Sequence, residues 1–285
     1  MSSSMALARE ALRAVLAVRR KAGISKTNPV CVFDLAQQLD VEVMFTHGNS
    51  FEGLYARESS TIVVSALRPP GRQAYTCAHE LAHWKFDHGT RVDELDTLTN
   101  PNSPEERLAN LFAGYLLMPP WAVKEAYGRR SWNPDAADPV QTYTIACQLG
   151  VGYETLIQQL RCSLGLITER RAQQLLRHSP KSIRMDVLGE HSSAQHLVVV
   201  DSHWGKVPID LRVGDTVALP ETWEAVGSVL TDGPHPKNGR AFIAAAPGIG
   251  QIVSGDGVNA LFVRVSRKEY EGRCKYRHLE EPDDV

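Results

Sequence analysis

The sequence lacks the features that would direct a chain into a membrane or onto a polyanion. Its formal net charge is only -2 over 285 residues, which gives no electrostatic reason to expect nucleic acid or an anionic membrane as the main partner. No apolar run approaches the roughly 20 residues that a membrane-spanning helix needs. Arg9, Glu10 and Arg13 interrupt the N-terminal helical pattern, whereas a secretion signal has a continuous apolar core. We therefore predict a soluble chain that is not exported and has no membrane partner.

Cysteine is also scarce. The chain has five cysteines, an odd number, and no two of them form a CxxC pair. This pattern argues against a disulfide framework and against a zinc site built from thiolates. Reduced thiols are typical of the cytoplasm, and we predict a cytoplasmic location. Apolar residues make up 43% of the chain and charged residues 22%, a balance typical of globular domains rather than disordered chains.

The first part of the sequence alternates helical and β-strand patterns. Apolar residues at helical spacing predict helices, and short β-branched or aromatic runs between turn residues predict strands. The helices are predicted over residues 6–21, 32–39, 72–88 and 103–117, and the strands over 41–45, 53–55 and 61–65. We expect the strands to form a small antiparallel sheet and residues 89–102 to form a polar loop. These elements predict an α+β domain over residues 1–130.

The second part changes from helical to β patterns. Residues 131–180 are predicted to form a small helical module, with breaks at residues 150–152 and near Gly165. From Met185 onward, short β runs alternate with turn residues. The runs are at 197–200, 217–220, 241–246, 251–253 and 260–265. We predict an all-β barrel or sandwich over residues 181–285 that ends in a disordered acidic tail, EEPDDV.

A HELAH motif at residues 79–83 lies inside one of the predicted helices. Residues four apart project from one face of a helix, so His79 and His83 can direct ring nitrogens at one metal ion. Glu80 lies beside that ion without ligating it and is placed to accept a proton from water. The pattern predicts a hydrolytic site for one Zn²⁺ ion, with Mn²⁺ as the alternative. A chance match is the competing interpretation, because helices are rich in these residue types.

A catalytic zinc site needs a third protein ligand and an open position for water. Glu106, on the next predicted helix, can supply the ligand, since Asn110 lies four residues on and can orient an imidazole. The alternative role for Glu106 is the third position of a capping box that starts at Ser103. Glu105 is the rival ligand, although the residue four positions after it is an alanine that cannot orient a histidine.

His88 is a further candidate near the motif. On a continuous helix it would lie about 140° around the axis from His83 and face away from the metal. The metzincin arrangement, in which a third histidine lies ten residues after the first, is excluded because position 89 is Gly. We therefore interpret His88 as a surface or capping histidine.

Two other polar groups have simpler interpretations. The arginine pair at 129–130 is predicted to be a solvated helix end rather than a phosphate clamp. Asp201, His203 and Asp210 suggest a second metal site, but histidine and aspartate in polar turns are more often simply exposed.

Two strings in the first domain resemble one known family. The string RQAYTCAHELAHWKFDH at 72–88 is followed by EERLANLFAGYLLMPP at 105–120. They are similar to the ImmA/IrrE metallopeptidases, whose signature is (F/Y)T-x-AHE-x-xH followed by E-x-x-A-N-x-F-A-x-x-LLMP. The resemblance covers about residues 6–125. Both strings in the same order are far more specific than the HELAH motif alone.

The resemblance implies a small thermolysin-like metallopeptidase domain. It implies that His79, His83 and Glu106 are the metal ligands and that Glu80 is the general base. It also implies that Asn110 hydrogen-bonds a ligand histidine without contacting the metal. Family members typically cleave an Xre-type helix-turn-helix repressor, which relieves repression in stress response or mobile-element induction. The expected partner is therefore a protein substrate, a repressor encoded nearby.

The helical module supports a rival hypothesis. Ala146, Gly150 and Leu156 have the spacing of a helix-turn-helix, so the chain could be a non-catalytic regulator that binds a repressor or DNA. The recognition helix would carry only Glu154 and Arg161 as charged residues. Because nonspecific affinity for DNA comes mainly from cationic side chains, we do not expect direct DNA binding.

Overall fold

The computed structural model describes residues 2–48, 51–88, 91–94, 103–189 and 194–279, and the chain divides into two compact units. The first unit comprises Met1–Glu125, Leu149–Gly152 and Glu269–Lys275, and the second comprises Ala126–Gln148, Tyr153–Lys268 and Tyr276–Val285. The mixture of helices and sheets confirms the predicted α+β class. The predicted domain boundaries at residues 130 and 180 remain a prediction, and the tail EEPDDV lies outside the described residues.

The four helices whose bounds were predicted begin and end within four residues of the predicted positions. They are α1 (Ser2–Lys21), α2 (Val32–Gln38), α3 (Pro70–Phe86) and α4 (Pro104–Leu117). Further along the chain are α5 (Pro120–Arg129), α6 (Pro139–Leu149), α7 (Tyr153–Gln158), α8 (Glu169–Leu175) and α9 (Pro180–Leu188). A π-helical turn, Gln159–Ser163, continues α7. In the described part of the chain, no helix is long and apolar enough to cross a bilayer.

The start of α4 follows the predicted capping chemistry. The Ser103 hydroxyl accepts a hydrogen bond from the Glu106 N–H at 3.2 Å, and Pro104 occupies the first helical position, where no N–H is needed. Pro120 starts α5 in the same position. The sequence pattern did not predict α5, because a proline pair after Met118 indicates a stop as readily as a new start.

The strands form three sheets in the described residues. They are β1 (Glu42–Thr46), β2 (Phe51–Ala56), β3 (Thr61–Ser65), β4 (Arg91–Glu94), β5 (Leu197–Val199), β6 (Ile209–Arg212), β7 (Thr216–Leu219), β8 (Trp223–Val226), β9 (Leu230–Asp232), β10 (Arg240–Ala244), β11 (Gly248–Ser254), β12 (Ala260–Ser266) and β13 (Gly272–Arg273). The sheet of the first unit has the order β13-β1-β3-β2-β4.

Three features of this sheet differ from the prediction. Strand β1 pairs with β3 in parallel, so the predicted fully antiparallel sheet is wrong. Because β2 and β3 form an antiparallel hairpin, β2 occupies one side of β3 and β1 pairs with the other. Strand β4 lies in the predicted polar loop and pairs with β2. Strand β13 comes from the far end of the chain and pairs with β1 through Met44–Arg273 and Phe45–Gly272.

A buried arginine joins α1 to the end of α4. The Arg19 side chain is 1% exposed, and its Nη1 donates to the Leu116 carbonyl at 3.1 Å. Its Nη2 donates to the carbonyls of Ser25, at 2.7 Å, and Asn28. Burial lowers the pKa of Arg19 to about 10, so the side chain stays charged at neutral pH. The guanidinium therefore satisfies a carbonyl in the last turn of α4, where no helical N–H is available.

The β-rich part of the second unit is a sandwich. One sheet has the order β5-β7-β10-β9 and the other β6-β12-β11-β8. Buried side chains from both sheets form one core. Its members include Val198, Val217, Leu219, Phe242, Leu211, Ile252, Val263 and Val265. Of the two predicted architectures, barrel or sandwich, the structure has the sandwich, and strands β6, β8 and β9 are additional to the predicted runs.

The predicted break after α6 packs against the start of α3. Gly150 has a φ of +67°, a left-handed conformation that glycine adopts without strain. The following two residues lie so close to Gly71 that a Cβ there would be 2.5 Å from the Gly152 nitrogen and 2.8 Å from the Val151 carbonyl carbon. Only glycine fits at position 71.

We predict that Gly71→Ala destabilises the protein by about 1–3 kcal/mol, the usual effect of overpacking. The added Cβ meets backbone atoms, which cannot move aside as a flexible side chain can. The measurement is the urea-unfolding midpoint followed by circular dichroism.

Gly128→Ala is the matched control, since Gly128 is also helical and a Cβ there has no neighbour within 4 Å. Alanine at this position should leave stability unchanged or raise it by up to ~1 kcal/mol, because alanine favours helices over glycine. Equal stability of the two variants would contradict the proposed close approach.

Candidate metal centre

Helices α3 and α4 bring three potential metal ligands together. His79, His83 and Glu106 are 7%, 0% and 5% exposed, and one donor atom from each lies within 4.8 Å of the other two. The Nε2 atoms of the histidines are 3.1 Å apart. Glu106 Oε2 lies 3.2 Å from His79 Nε2, and its Oε1 lies 3.7 Å from His83 Nε2. All three side chains therefore converge on one small volume.

The positions of these residues follow from local helix geometry. His79 and His83 are one turn apart on α3, so both imidazoles project from the same face. Ser103 caps the N-terminus of α4, so Glu106, three residues later, lies in the first turn of that helix. The Glu106 N–H completes the cap with Ser103, while the Glu106 carboxylate contacts the histidines. The capping-box alternative thus accounts only for the backbone of Glu106.

The outer nitrogen of His79 contacts Asn110. His79 Nδ1 lies 3.2 Å from Asn110 Oδ1, and since an amide oxygen only accepts, Nδ1 carries the proton and donates. The Tyr75 hydroxyl donates to the same oxygen at 3.4 Å and to the Asn110 carbonyl at 3.3 Å. Burial raises the pKa of Tyr75, while nearby Arg72 opposes that shift. The nitrogen of His79 that carries no proton is then Nε2, and its lone pair faces Glu106.

His88 is half-buried, and its N–H caps the end of α3 by donating to the His83 carbonyl, but its ring contacts His83, so the expectation that the side chain faces away from the site is wrong. Helix α3 ends at Phe86, and Asp87 adopts a left-handed conformation. The chain therefore turns back, and His88 Nδ1 comes within 3.1 Å of His83 Nδ1. The angular argument from the sequence assumed a continuous helix, which is why it placed this side chain on the wrong side.

Glu80 lies next to the backbone of β2. Its side chain is 1% exposed, and a Cβ on Gly53 would stand 3.0 Å from Glu80 Oε1 and 2.4 Å from Thr76 Cγ2. Glycine at position 53 therefore allows β2 to approach α3. The sequence contains this glycine in FEGLY, part of the stretch that carries the family resemblance, but a single sequence gives no sign of the close contact.

The donor set fits a divalent transition metal. Two imidazole nitrogens and one carboxylate are a ligand combination that suits Zn²⁺ and leaves a fourth position open. Across the described residues, this is the only group of three or more histidine, cysteine, aspartate or glutamate side chains close enough to hold an ion. The ligand roles of the three residues, the catalytic role of Glu80 and the identity of the metal remain predictions.

The residues considered for a second metal site have other contacts. Asp201 makes a bidentate ion pair with Arg130, at 2.6 and 2.7 Å. Asp210 pairs with Arg264 at 2.5 and 2.7 Å. Arg130 is buried and also donates to the Ala126 carbonyl. It is therefore not a solvated helix end, and its interpretation from the sequence is wrong.

The helix considered for DNA recognition has few side chains that are available to contact DNA. Tyr153 is 2% exposed, and its hydroxyl donates to the Leu175 carbonyl at 3.1 Å. Arg161 pairs with Glu169 at 2.7 Å and donates to Gln158. Tyr153 is thus a core residue of the second unit rather than a side chain that could contact a base.

Part of the chain is similar to a known peptidase family. Residues 36–161 match the model of peptidase family M78, described as the IrrE N-terminal-like domain. A solved structure of a Mycobacterium tuberculosis transcriptional regulator is similar at 19% identity and a TM-score of 0.35, over 55% of this chain and 46% of that chain. This chain therefore spans less than half the length of that regulator. No curated protein matches significantly. The family match confirms the resemblance drawn from the two motifs.

We predict that Glu106→Gln weakens Zn²⁺ binding by more than roughly 10- to 100-fold. That range is the usual loss of affinity when an outer partner, a residue that hydrogen-bonds a metal ligand without contacting the metal, is removed. An amide keeps the shape of the side chain but removes the negative charge that faces the two imidazoles. The measurement is Zn²⁺ affinity by competition with a chromophoric chelator, together with metal content by atomic emission.

Glu105→Gln is the control, because it makes the same chemical change one residue away in the same helical turn. It should bind Zn²⁺ like the wild type. If the Glu105 variant loses the ion and the Glu106 variant keeps it, the ligand assignment is wrong.

Proposed function

From the match of residues 36–161 to the IrrE N-terminal-like domain, we propose that this protein is a zinc-dependent, site-specific endopeptidase. The observation that carries the proposal is the buried group of His79, His83 and Glu106, with Glu80 in the same helix. A site that only stabilises a fold needs ligands and no adjacent base. The presence of Glu80 beside this donor set favours hydrolysis.

His79, His83 and Glu106 would hold one divalent ion, Zn²⁺ with Mn²⁺ as the alternative. An ion held there would act as a Lewis acid that polarises the scissile carbonyl and acidifies the attacking water. Asn110 would keep His79 in the tautomer that presents Nε2 to the site. Burial of the three side chains excludes bulk water, which strengthens the electrostatic interactions among them.

Glu80 would move the proton. Its carboxylate accepts a proton from the water as the new C–O bond forms, and then donates that proton to the nitrogen as the C–N bond breaks. The close approach of Gly53 in β2 fixes one side of this carboxylate. Glu80 would therefore act on the reacting groups without being needed to hold the ion.

The proposed substrate is an Xre-type helix-turn-helix repressor encoded near this gene. Support for this choice comes from the resemblance to ImmA/IrrE peptidases, which typically act on such repressors. Cleavage would relieve repression in stress response or mobile-element induction. The five cysteines are odd in number and form no CxxC pair, a pattern that suits the reducing cytoplasm, where such a repressor would be found.

The test of the proposed function is incubation of the Zn²⁺-loaded protein with the repressor from the neighbouring gene, followed by mass spectrometry of the products. We expect two fragments from a single cleavage site. A Zn²⁺-loaded protein that leaves the repressor intact while binding it would instead support a non-catalytic regulator.

We predict that Glu80→Gln keeps near-stoichiometric Zn²⁺ but cleaves the repressor at least ~100-fold more slowly, in line with typical general-base contributions. Glutamine has almost the same shape but cannot accept the proton. His83→Ala should lose the ion, because it removes a ligand. Zinc content and cleavage rate are measured for both variants in parallel, and a Glu80→Gln protein with the wild-type rate would refute the catalytic role of Glu80.

A further inference from the structure

The end of α3 is built so that His88 folds back over His83. Asp87 has φ 57° and ψ 43°, the left-handed conformation that commonly follows a helix. The His88 N–H donates to the His83 carbonyl at 3.1 Å, and the Asp87 N–H donates to the Trp84 carbonyl at 3.4 Å. These two bonds form a Schellman motif. Aspartate is among the few non-glycine residues that tolerate this conformation.

The motif places the His88 ring between two aromatic neighbours. It stacks on Phe86, with centroids 5.6 Å apart and an interplanar angle of 19°. It meets the His83 ring at 5.1 Å and 68°. Phe86 in turn packs edge-on against Phe112 of α4 at 5.8 Å. The imidazole of His88 is thus held from one side while its Nδ1 faces His83.

The contact between the two rings fixes which nitrogen of each carries a proton. A His83 that offers the Nε2 lone pair to a metal ion must carry its proton on Nδ1. The Nδ1 atoms of His83 and His88 are 3.1 Å apart, so His83 Nδ1 donates and His88 Nδ1 accepts. Neutral His88 then has its proton on Nε2. This is the one placement of the protons that both forms the hydrogen bond between the two rings and leaves the Nε2 lone pair of His83 available for an ion.

We propose that His88 is a positioning residue that orients His83 for metal binding, as Asn110 orients His79. The inference rests on the proposed function, since it concerns the same site. Each candidate ligand histidine then has a hydrogen-bond acceptor at Nδ1, one an amide oxygen on α4 and the other a ring nitrogen beyond the end of α3. Such outer partners hold the ring and raise the basicity of the ligating nitrogen.

The test compares His88→Phe with His88→Gln. Phenylalanine keeps a ring to stack on Phe86 but removes the acceptor, whereas glutamine keeps an acceptor on a flexible side chain. His178→Ala is the control, because it removes an exposed histidine at the end of α8. The measurements are Zn²⁺ affinity by chelator competition, the visible spectrum of the Co²⁺-loaded protein, and the unfolding temperature of the metal-free protein.

We expect His88→Phe to bind Zn²⁺ about 10- to 100-fold more weakly than the wild type, the usual effect of losing an outer partner. Its Co²⁺ spectrum should shift, while the unfolding temperature of the metal-free protein should not change. His88→Gln should restore most of the affinity, and His178→Ala should match the wild type in all three measurements.

Wild-type Zn²⁺ affinity in His88→Phe would overturn the positioning role while leaving the proposed function intact. An equal loss in the Phe and Gln variants, accompanied by a lower unfolding temperature of both metal-free proteins, would assign His88 a purely structural role and also overturn the inference. A wild-type protein that binds neither ion would overturn the proposed function itself.

Discussion

Glu106 carries a carboxylate into the interior of the first unit, where an isolated negative charge would cost several kcal/mol. When α3 packs against α4, the Nε2 atoms of both imidazoles face this carboxylate. In the tautomers assigned above, these atoms carry lone pairs and no proton, so a divalent cation bound among the three groups would compensate the charge. The buried carboxylate is therefore better suited to a site that holds a cation than to an empty one.

The surrounding structure supports this arrangement from three directions. Arg19 ties α1 to the last turn of α4, and Gly71 lets the connection after α6 pack against the first turn of α3. Gly53 brings β2 against the middle of α3. Because neither glycine has a side chain, neighbouring segments pack closely against α3. Close backbone packing therefore holds the site residues in position together with the polar contacts.

The sequence predicted what depends on local geometry. The i, i+4 spacing of His79 and His83 and the Ser103 cap of α4 are both set within a single turn of helix, so a pattern of a few residues was sufficient. Chain pairing over long distances was not predictable in the same way. Strand β1 pairs in parallel with β3 and not with β2 because of sheet topology, which the composition of a short β run does not encode.

The position of His88 shows a different limit. It depends on one residue, Asp87, that leaves the helical conformation, and aspartate at that position is compatible with either continuing or ending a helix. A glycine there would have indicated the end plainly. The buried Arg130 was missed for a related reason, since its partner Asp201 is 71 residues away in sequence and no local pattern links the two.

Strand β13 has a consequence for how the chain is made. Its two residues, Gly272 and Arg273, cover the edge of β1, and neighbouring Glu271 accepts hydrogen bonds from Thr46 and His47. A nascent chain emerges from the ribosome N-terminus first, so β1 is synthesised more than two hundred residues before its partner. Throughout that interval the hydrogen-bonding edge of β1 is uncovered, which is a condition that favours pairing with other chains. The sheet of the first unit is thus completed only after Arg273 has been synthesised, although its other four strands lie within residues 42–94.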